Sequence, residues 1–168
     1  GSSQTPVDEL FNIHQVLERA RSLISAESGG SITTQRDYDP SLPEMTGDRS
    51  QVFQAILNIA KNALEAVTES QTEQPMIKFS TRAVRRAHPG TKGAQTFLRL
   101  RIEDNGPGIP DDLKERLFFP MVSGRAQGSG IGLSITQTII ARHNGWIEVQ
   151  SEPGHTAFDI ILPFGEKR

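Results

Sequence analysis

The sequence predicts an α+β or α/β domain in which an antiparallel-rich sheet is covered on one face by helices. Two periodicities support this prediction. Apolar residues recur at helical spacing in three segments, 10–25, 48–69 and 129–143. Apolar and polar residues alternate in five strand-like segments, 31–38, 76–83, 96–104, 146–150 and 155–163.

The ends of these elements are marked by turn and cap residues. Glycines at 29–30 end the first helix, and Asp48 followed by Gln51 is a capping-box signature that opens the second helix. The basic stretch 82–95, between two strands, is expected to be an exposed hairpin loop. A Glu-Pro-Gly turn at 152–154 joins the last two strands.

Composition and charge exclude several classes of function. The chain has 168 residues, 35% of them hydrophobic and 23% charged, which suits one soluble globular domain. Its formal net charge of -2 provides no overall field for nucleic acid or an anionic membrane. No apolar run is long enough to span a bilayer. The absence of cysteine excludes disulfides and thiolate chemistry, and it is consistent with a cytoplasmic location.

A carboxylate interrupts the apolar face of the strand predicted at 96–104. Asp104 continues that face by the period of two, and a buried carboxylate is costly unless it gains a partner. One interpretation is that the strand ends there in a turn. The other is that Asp104 accepts a hydrogen bond from an exocyclic amine such as adenine N6. Gly106 and Gly108 are consistent with both interpretations, since glycine permits positive φ and close approach of the backbone to other groups.

Two asparagines stand one turn apart in the second helix. Asn58 and Asn62 share a face with Glu65 and Glu69. Asparagine is a poor interior helix former because its amide competes for backbone hydrogen bonds. Its neutral oxygen suits a hard cation whose other ligands are phosphate oxygens and water. The alternative is that this face is simply solvated.

A glycine run leads into the third helix. Gly128, Gly130 and Gly132 would leave backbone N–H groups at the positive end of that helix, where phosphates bind. The run is neither a Rossmann fingerprint nor a Walker A motif. The preceding stretch, 111–128, with a short helix near its start, is too long for an ordinary connection and predicts a lid over a ligand. Thr156, at the start of the last strand, could reach the same ligand.

In this order, the segments resemble the sequence boxes of the histidine-kinase and related ATPase superfamily. The asparagine box, first glycine box, F box, second glycine box and closing strand correspond to 58–63, 103–110, 117–120, 128–134 and 155–163. The resemblance implies a Bergerat fold, a two-layer α/β sandwich with a mixed, mostly antiparallel sheet and a mobile ATP lid. It also implies ATP and Mg²⁺ as cofactors.

Each matched position takes its role from the resemblance. Asn62 would supply an oxygen to Mg²⁺, and Asp104 would read adenine. Gly106, Gly108 and Ile109 would line the base. The other implied nucleotide contacts are Gly128, Gly130, Ile131, Gly132 and Leu133 at the phosphates, and Thr156 at a water bound to adenine.

The residue at position 58 indicates whether the domain would hydrolyse ATP or transfer its phosphate. Hydrolases of the superfamily carry a glutamate four residues before the metal-binding asparagine, where it activates water. Asn58 stands there instead and cannot act as a base. We therefore expect the chain to present the γ-phosphate of ATP to an outside nucleophile. Glu65 departs from the kinase pattern, in which a basic residue is common, so Arg125 of the lid becomes the candidate for a γ-phosphate contact.

The phosphoacceptor is expected outside this chain. None of the histidines at 14, 88, 143 and 155 has the His-[Glu/Asp]-x-[Lys/Arg]-x-Pro context of an acceptor. His143 is expected to end a helix, where its charge suits the helix dipole. Two alternatives stay open. One is a serine kinase of the anti-sigma type, which shares these boxes; the other is a regulatory module that binds nucleotide without transfer.

Three segments, 36–44, 119–125 and 153–156, resemble the nitrogen-regulation sensor kinases. This implies that 1–27 comprise a vector-derived remnant and a helix connecting from an absent dimerisation domain, and that 28–168 form the catalytic domain. The implied partners are the dimerisation and phosphoacceptor domain, a response-regulator receiver domain and a PII-type signal protein. We expect a monomeric fragment, a homodimeric full-length kinase, and neither a nucleic-acid nor a membrane partner.

Overall fold

A computed structural model describes residues 7–87, 93–118 and 130–165, and of 130–132 it describes the backbone alone. The strands are β1 (Glu9–Phe11), β2 (Thr33–Asp37), β3 (Met45–Gly47), β4 (Met76–Ala87), β5 (Ala94–Asp104), β6 (Trp146–Glu152) and β7 (His155–Pro163). The helices are α1 (Ile13–Ser28), α2 (Arg49–Glu69), α3 (Asp111–Lys114) and α4 (Gly130–Arg142).

The main sheet has five strands in the order β2-β4-β5-β7-β6. β2 runs parallel to β4, and the other neighbouring strands are antiparallel. β1 and β3 form a separate two-stranded antiparallel ribbon. The prediction of a mixed, mostly antiparallel sheet is therefore confirmed.

One face of the sheet packs against helices. Inward-facing residues of β5, such as Leu98 and Leu100, belong to one hydrophobic core with the apolar faces of α1, α2 and α4. Ile24 of α1 and Ile56 of α2 are fully buried there. Burial of these faces gives the predicted two-layer arrangement. None of the described helices is both long and apolar enough to cross a membrane.

The first helix begins at Ile13 rather than at residue 10. Asn12 caps it, because its Oδ1 accepts the backbone N–H of His14 at 2.8 Å. The residues before the cap pair with β3, a ribbon that the apolar pattern did not predict. In the short β1 segment, strand pairing with β3 outweighs the helical spacing of the apolar residues.

The predicted hairpin loop is shorter than the sequence suggests. β4 and β5 remain paired as far as Ala87 and Ala94. Arg85 bridges the two strands, because its guanidinium donates to Thr96 Oγ1 at 3.0 Å. The prediction of a loop at these positions is wrong, since ladder hydrogen bonds and such cross-strand contacts favour strand despite the polar sequence. Residues 88–92 lie outside the described part of the chain.

Asp48 caps α2 as predicted, but the reciprocal hydrogen bond of a capping box does not form, because Gln51 Oε1 has no partner among the described residues. Asp48 Oδ1 accepts the Gln51 N–H at 3.1 Å, whereas the N–H of Asp48 donates to Nε2 of His143 at 3.0 Å. Nδ1 of His143 donates to the carbonyl of Ile139 at 2.8 Å. The ring of His143, which directly follows the last residue of α4, thus connects the end of this helix to the start of α2.

Candidate nucleotide-binding site

Asp104 ends β5 on the helix-facing side of the sheet, and its side chain is buried at 3% exposure. Its Oδ1 accepts the N–H of Gly106 at 2.8 Å. Burial raises the pKa of Asp104 to about 6, although the Gly106 hydrogen bond and the charge of His155 act in the opposite direction. A carboxylate in this position can accept a strong hydrogen bond from a ligand amine, which would offset its desolvation.

Thr156 lies directly beside Asp104. The two residues are partners in the register of β5 and β7, and Thr156 is also buried. Opposed side chains on one face of an antiparallel pair lie close enough to contact the same group. The structure thus brings together the two residues that the sequence assigned to adenine, although they are far apart in the chain.

The glycine turn after Asp104 fits tightly against its surroundings. Gly108 has a φ of 91°, and a Cβ at this position would lie 2.6 Å from the carbonyl oxygen of Glu152. A Cβ at Gly106 would lie 2.8 Å from Asp104 Oδ1 and 3.4 Å from the Cβ of Ala66 on α2. Both glycines are required by close approach, as predicted.

Ser151 joins three parts of the site, and the sequence reasoning missed it. Its hydroxyl lies 2.7 Å from Thr156 Oγ1 and accepts the N–H of Ile109 at 2.8 Å. Its carbonyl oxygen accepts the Nζ of Lys114, in α3, at 2.7 Å. The sequence did contain a signal for Ser151. Its side chain continues the apolar face that Ile147 begins on β6, just as Asp104 continues the apolar face of β5.

The two asparagines of α2 have different surroundings. Asn58 is half-buried, and its Nδ2 forms a long hydrogen bond of 3.5 Å to Oγ1 of Thr136, a fully buried residue of α4. Asn62 is half-buried one turn further on. Ala66 follows after another turn and lies beside Gly106. α2 therefore directs this face towards both α4 and the glycine turn.

The remaining predicted contacts lie at the start of α4 and in the lid. Gly130, Ile131 and Gly132 form the first turn of α4, and Leu133 is buried in the core. Arg125 and Gly128 lie outside the described residues, as does most of the predicted lid. These assignments therefore stay predictions.

A cation at this site would depend on the nucleotide. Across the three described stretches of chain, no group of three or more acidic or histidine side chains could hold a metal ion. Asn62 offers a neutral amide oxygen, so phosphate oxygens and water would have to complete the coordination sphere.

Known proteins resemble this chain in sequence. Residues 47–166 match the family described as histidine kinase-, DNA gyrase B- and HSP90-like ATPase. The sensory histidine kinase/phosphatase NtrB of Vibrio alginolyticus is 51% identical over 152 residues, which are 90% of this chain and 43% of that protein. NtrB of Rhodobacter capsulatus is 42% identical over 167 residues, which are 99% of this chain and 47% of that protein. The chain thus spans less than half of these relatives.

Solved structures have the same fold. The catalytic domain of histidine kinase ThkA matches with a TM-score of 0.76 at 24% identity, covering 94% of this chain and 96% of that domain. ThkA in complex with the response regulator TrrA matches with a TM-score of 0.73 at 25% identity, covering 96% of this chain and 43% of that one. Full-length ShkA in complex with AMPPNP matches with a TM-score of 0.76 at 24% identity, covering 99% of this chain and 33% of that one.

Proposed function

The chain belongs to the family of histidine kinase-, DNA gyrase B- and HSP90-like ATPases, and we propose that it binds Mg·ATP and donates the γ-phosphate to a histidine of a separate dimerisation domain. The observation that carries this proposal is the buried pair of Asp104 and Thr156, held beside a tight glycine turn. The similarity to the NtrB kinases supports a role in nitrogen-regulation signalling.

Asp104 recognises the adenine. Its carboxylate accepts the N6–H of the base, and Thr156 holds a water that completes the contact. Ser151 fixes the Thr156 hydroxyl through their 2.7 Å hydrogen bond. Gly106 and Gly108 let the turn pack closely against Asp104 and Glu152, because a Cβ at either position would clash with these residues.

Asn62 holds Mg²⁺ through its amide oxygen. A neutral oxygen fits this cation, because the triphosphate already supplies the negative ligands. The metal, once bound, neutralises charge on the phosphates during transfer. The chain contributes the position of the amide, which α2 holds one turn from Ala66 at the glycine turn.

Asn58 keeps the site from acting as a hydrolase. It occupies the position where hydrolases of this family have a general base, and an amide cannot take a proton from water. Its hydrogen bond to Thr136 ties α2 to the helix expected to hold the phosphates. The γ-phosphate is therefore kept for an outside nucleophile, with Arg125 of the lid as the proposed contact.

Transfer to histidine is tested by mixing the chain with ATP and a separately prepared dimerisation domain. Acid-labile phosphate on a histidine of that domain supports the proposal. Acid-stable phosphate on a serine-containing partner would favour a serine kinase of the anti-sigma type. Nucleotide binding without transfer to any histidine domain would identify a regulatory module instead.

The site assignment is tested by calorimetric titration of Mg·ATP. Asp104→Asn should abolish binding of adenine nucleotides, and Asn62→Asp should change the dependence on Mg²⁺ while leaving adenosine binding unchanged. Unaltered ATP affinity in Asp104→Asn would refute the adenine assignment. Comparing the two variants separates loss of base recognition from loss of the metal contact.

The proposed partners in the full kinase are its own phosphoacceptor domain, a response-regulator receiver domain and a PII-type signal protein. We also propose a cytoplasmic location and a homodimer for the full-length protein. The structure of ThkA with TrrA supports the receiver assignment by analogy. Replacing Arg82, Arg85 and Arg86 by alanine tests whether the basic end of the hairpin docks such a partner. Unchanged receiver or PII affinity would remove that role.

A further inference from the structure

The outer side of the helix layer, opposite the sheet, carries exposed side chains of α1 and α2. α2 lies between α1 and α4, and it packs against β4 and β5 on its inner side. Gln54 and Lys61 of α2 are exposed, as are Arg19 and Leu23 of α1. This side of the layer is therefore accessible from solvent along both helices.

Two contacts set the register between α1 and α2. The Arg49 guanidinium donates to Gln15 Oε1 at 3.3 Å, and the Arg19 guanidinium lies 4.2 Å from the centre of the Phe53 ring. Each pair joins residue i of α1 to residue i + 34 of α2. The two helices therefore run side by side in the same direction and form a groove between them.

Apolar side chains occupy the middle of this α1–α2 groove. The same offset of 34 residues places Leu57 of α2 opposite Leu23 of α1, one turn beyond the cation–ring contact. Leu23 is 45% exposed, whereas Phe53 and Leu57 are partly buried against the hydrophobic core. These three side chains form an apolar strip, which differs from the single scattered apolar residues that are normal on protein surfaces.

The first end of the groove is cationic. Arg19 and Arg49 form no ion pair within the described ranges of the chain. A guanidinium that stacks on an aromatic ring can still donate its N–H groups to a carboxylate. At the other end, the offset places Glu27 opposite Lys61, so the charges there are of opposite sign. The positive charge of the groove is therefore concentrated beside one end of the apolar strip.

The shape and charge of the groove favour one kind of occupant. A hydrophobic groove between helices accommodates an amphipathic helix, whose apolar residues recur at every third or fourth position. Arg19 and Arg49 are complementary to carboxylates at one end of such a helix. Nucleic acids and anionic membranes are bound by larger clusters of basic residues, and the net charge of the whole chain is -2.

We propose that the α1–α2 groove is a docking site for an amphipathic helix of a partner protein, whose apolar stripe begins beside acidic residues. The apolar stripe would cover Leu23 and Leu57. The acidic residues would pair with Arg19 and Arg49, which supplies the carboxylates that these two arginines lack within the described ranges.

The proposal is tested by nuclear magnetic resonance on the chain with ¹³C-labelled leucine methyl groups. The probe is a blocked peptide, Glu-Glu-Ala-Leu-Ala-Ala-Leu-Leu-Ala-Ala-Leu-Lys. One counterpart has Gln-Gln in place of Glu-Glu, and the other has alanine in place of every leucine. We expect saturable shifts of the Leu23 and Leu57 methyl signals with the probe, and affinity lower by about fivefold or more with either counterpart. Equal affinity for all three peptides, no response to the probe, or a stronger response to a DNA duplex or to phosphatidylglycerol vesicles would overturn the proposal.

Two variants separate docking from a structural role. Leu23→Gln and Arg19→Gln should each weaken binding of the probe by about fivefold, while Tm stays within about 3 °C of wild type. Leu10→Gln is the matched control for the leucine, because Leu10 is 69% exposed on β1, and Arg142→Gln, at an exposed arginine of α4, is the control for the arginine. Both controls should keep the full response. A full response in either groove variant, or a loss of response accompanied by a fall in Tm of more than about 6 °C, would count against docking.

Failure of this proposal is distinct from failure of the proposed nucleotide site. The nucleotide-binding side of α2 is a different one, because Asn58 turns towards Thr136 of α4. Mg·ATP affinity, measured by calorimetry, should therefore be unchanged in all four variants, whatever the outcome with the peptides.

Discussion

The hydroxyl groups of Ser151 and Thr156 lie 2.7 Å apart across the β6–β7 hairpin. Ser151 also accepts the N–H of Ile109, immediately after the glycine turn. The residue proposed to hold water at adenine is thus fixed to the segment proposed to line the base. We therefore propose that Ser151 positions Thr156 and Ile109 for nucleotide binding.

Ser151→Ala should weaken ATP, ADP and adenosine binding by a common factor of about five to ten, because one net hydrogen bond of about 1 kcal/mol is lost near the base. Calorimetry with the three ligands measures this. Ser31→Ala, at an exposed serine outside the site, is the control. A loss confined to ATP would contradict a role at adenine and point to the phosphates.

Asp104 should make stability and nucleotide affinity respond to pH in opposite directions. Its pKa in the folded protein is raised to about 6 from a usual value of 3.8. Because the pKa is raised on folding, the contribution of Asp104 to the free energy of unfolding is greatest below its unfolded pKa. This contribution falls by up to about 3 kcal/mol as the pH rises through 6. Adenine recognition needs the ionised form, so affinity should fall about fivefold from pH 6 to pH 5. Urea unfolding and calorimetry at several pH values measure the two trends.

Asp104→Asn provides the control for this pH dependence. The variant removes the titrating group, so the difference in stability between wild type and variant should shrink as pH falls below 6. A constant difference across that range would show that Asp104 does not titrate there. Its fold should remain intact, since the amide oxygen can still accept the N–H of Gly106.

Gly108→Ala should destabilise the domain and abolish nucleotide binding. The new Cβ would lie 2.6 Å from a backbone oxygen of Glu152, and the φ of 91° is itself unfavourable for alanine. Gly154→Ala is a matched control, because Gly154 has a φ of 90° but no neighbour within 4 Å of the added Cβ. Thermal unfolding should show a loss of about 1 kcal/mol for the control and a larger loss for Gly108→Ala. Equal losses would mean that the close approach is unimportant.

Glu18 should anchor α1 to β2. Its carboxylate accepts from Arg21 at 2.8 Å and from Tyr38 at 2.8 Å, and a further ion pair joins it to Arg36. The hydrogen bond from Arg21 lowers the pKa of Glu18 to about 2. Its contribution is therefore present above about pH 4.5 and is lost as pH falls towards 2.

Glu18→Gln should lower the free energy of unfolding at pH 7 by about 1 kcal/mol, a value discounted for partial solvent exposure. Urea unfolding at pH 7 and pH 3 measures it, with exposed Glu27→Gln as control. A loss of the same size at both pH values would contradict the role of the ionised carboxylate.

The local patterns predicted the positions of several polar residues in the fold correctly. Asp104 was found because it breaks the alternation of β5, and Asp48 because it precedes a helical pattern. Ser151 follows the same rule on β6, yet the rule does not say that Ser151 meets Thr156 and Ile109. That contact depends on the hairpin register and on where the glycine turn docks.

Local sequence patterns did not predict the contacts between segments that lie far apart in the chain. His143 satisfies the N–H of Asp48, 95 residues earlier in the chain. Arg82, Arg85 and Arg86 read as a basic loop, whereas strand pairing extends past all three.

The order of polar residues and glycines along the chain was enough to identify the ATPase family, because this order matches the sequence boxes of the family. Which side chains meet was decided by folding, because sheet register and helix docking join residues without any local signature. Arg99 is the clearest case. In the sequence it is one of several arginines, and only the packing of β4, β5 and β7 leaves its Nε buried beside other cations and without a hydrogen-bond acceptor among the described residues.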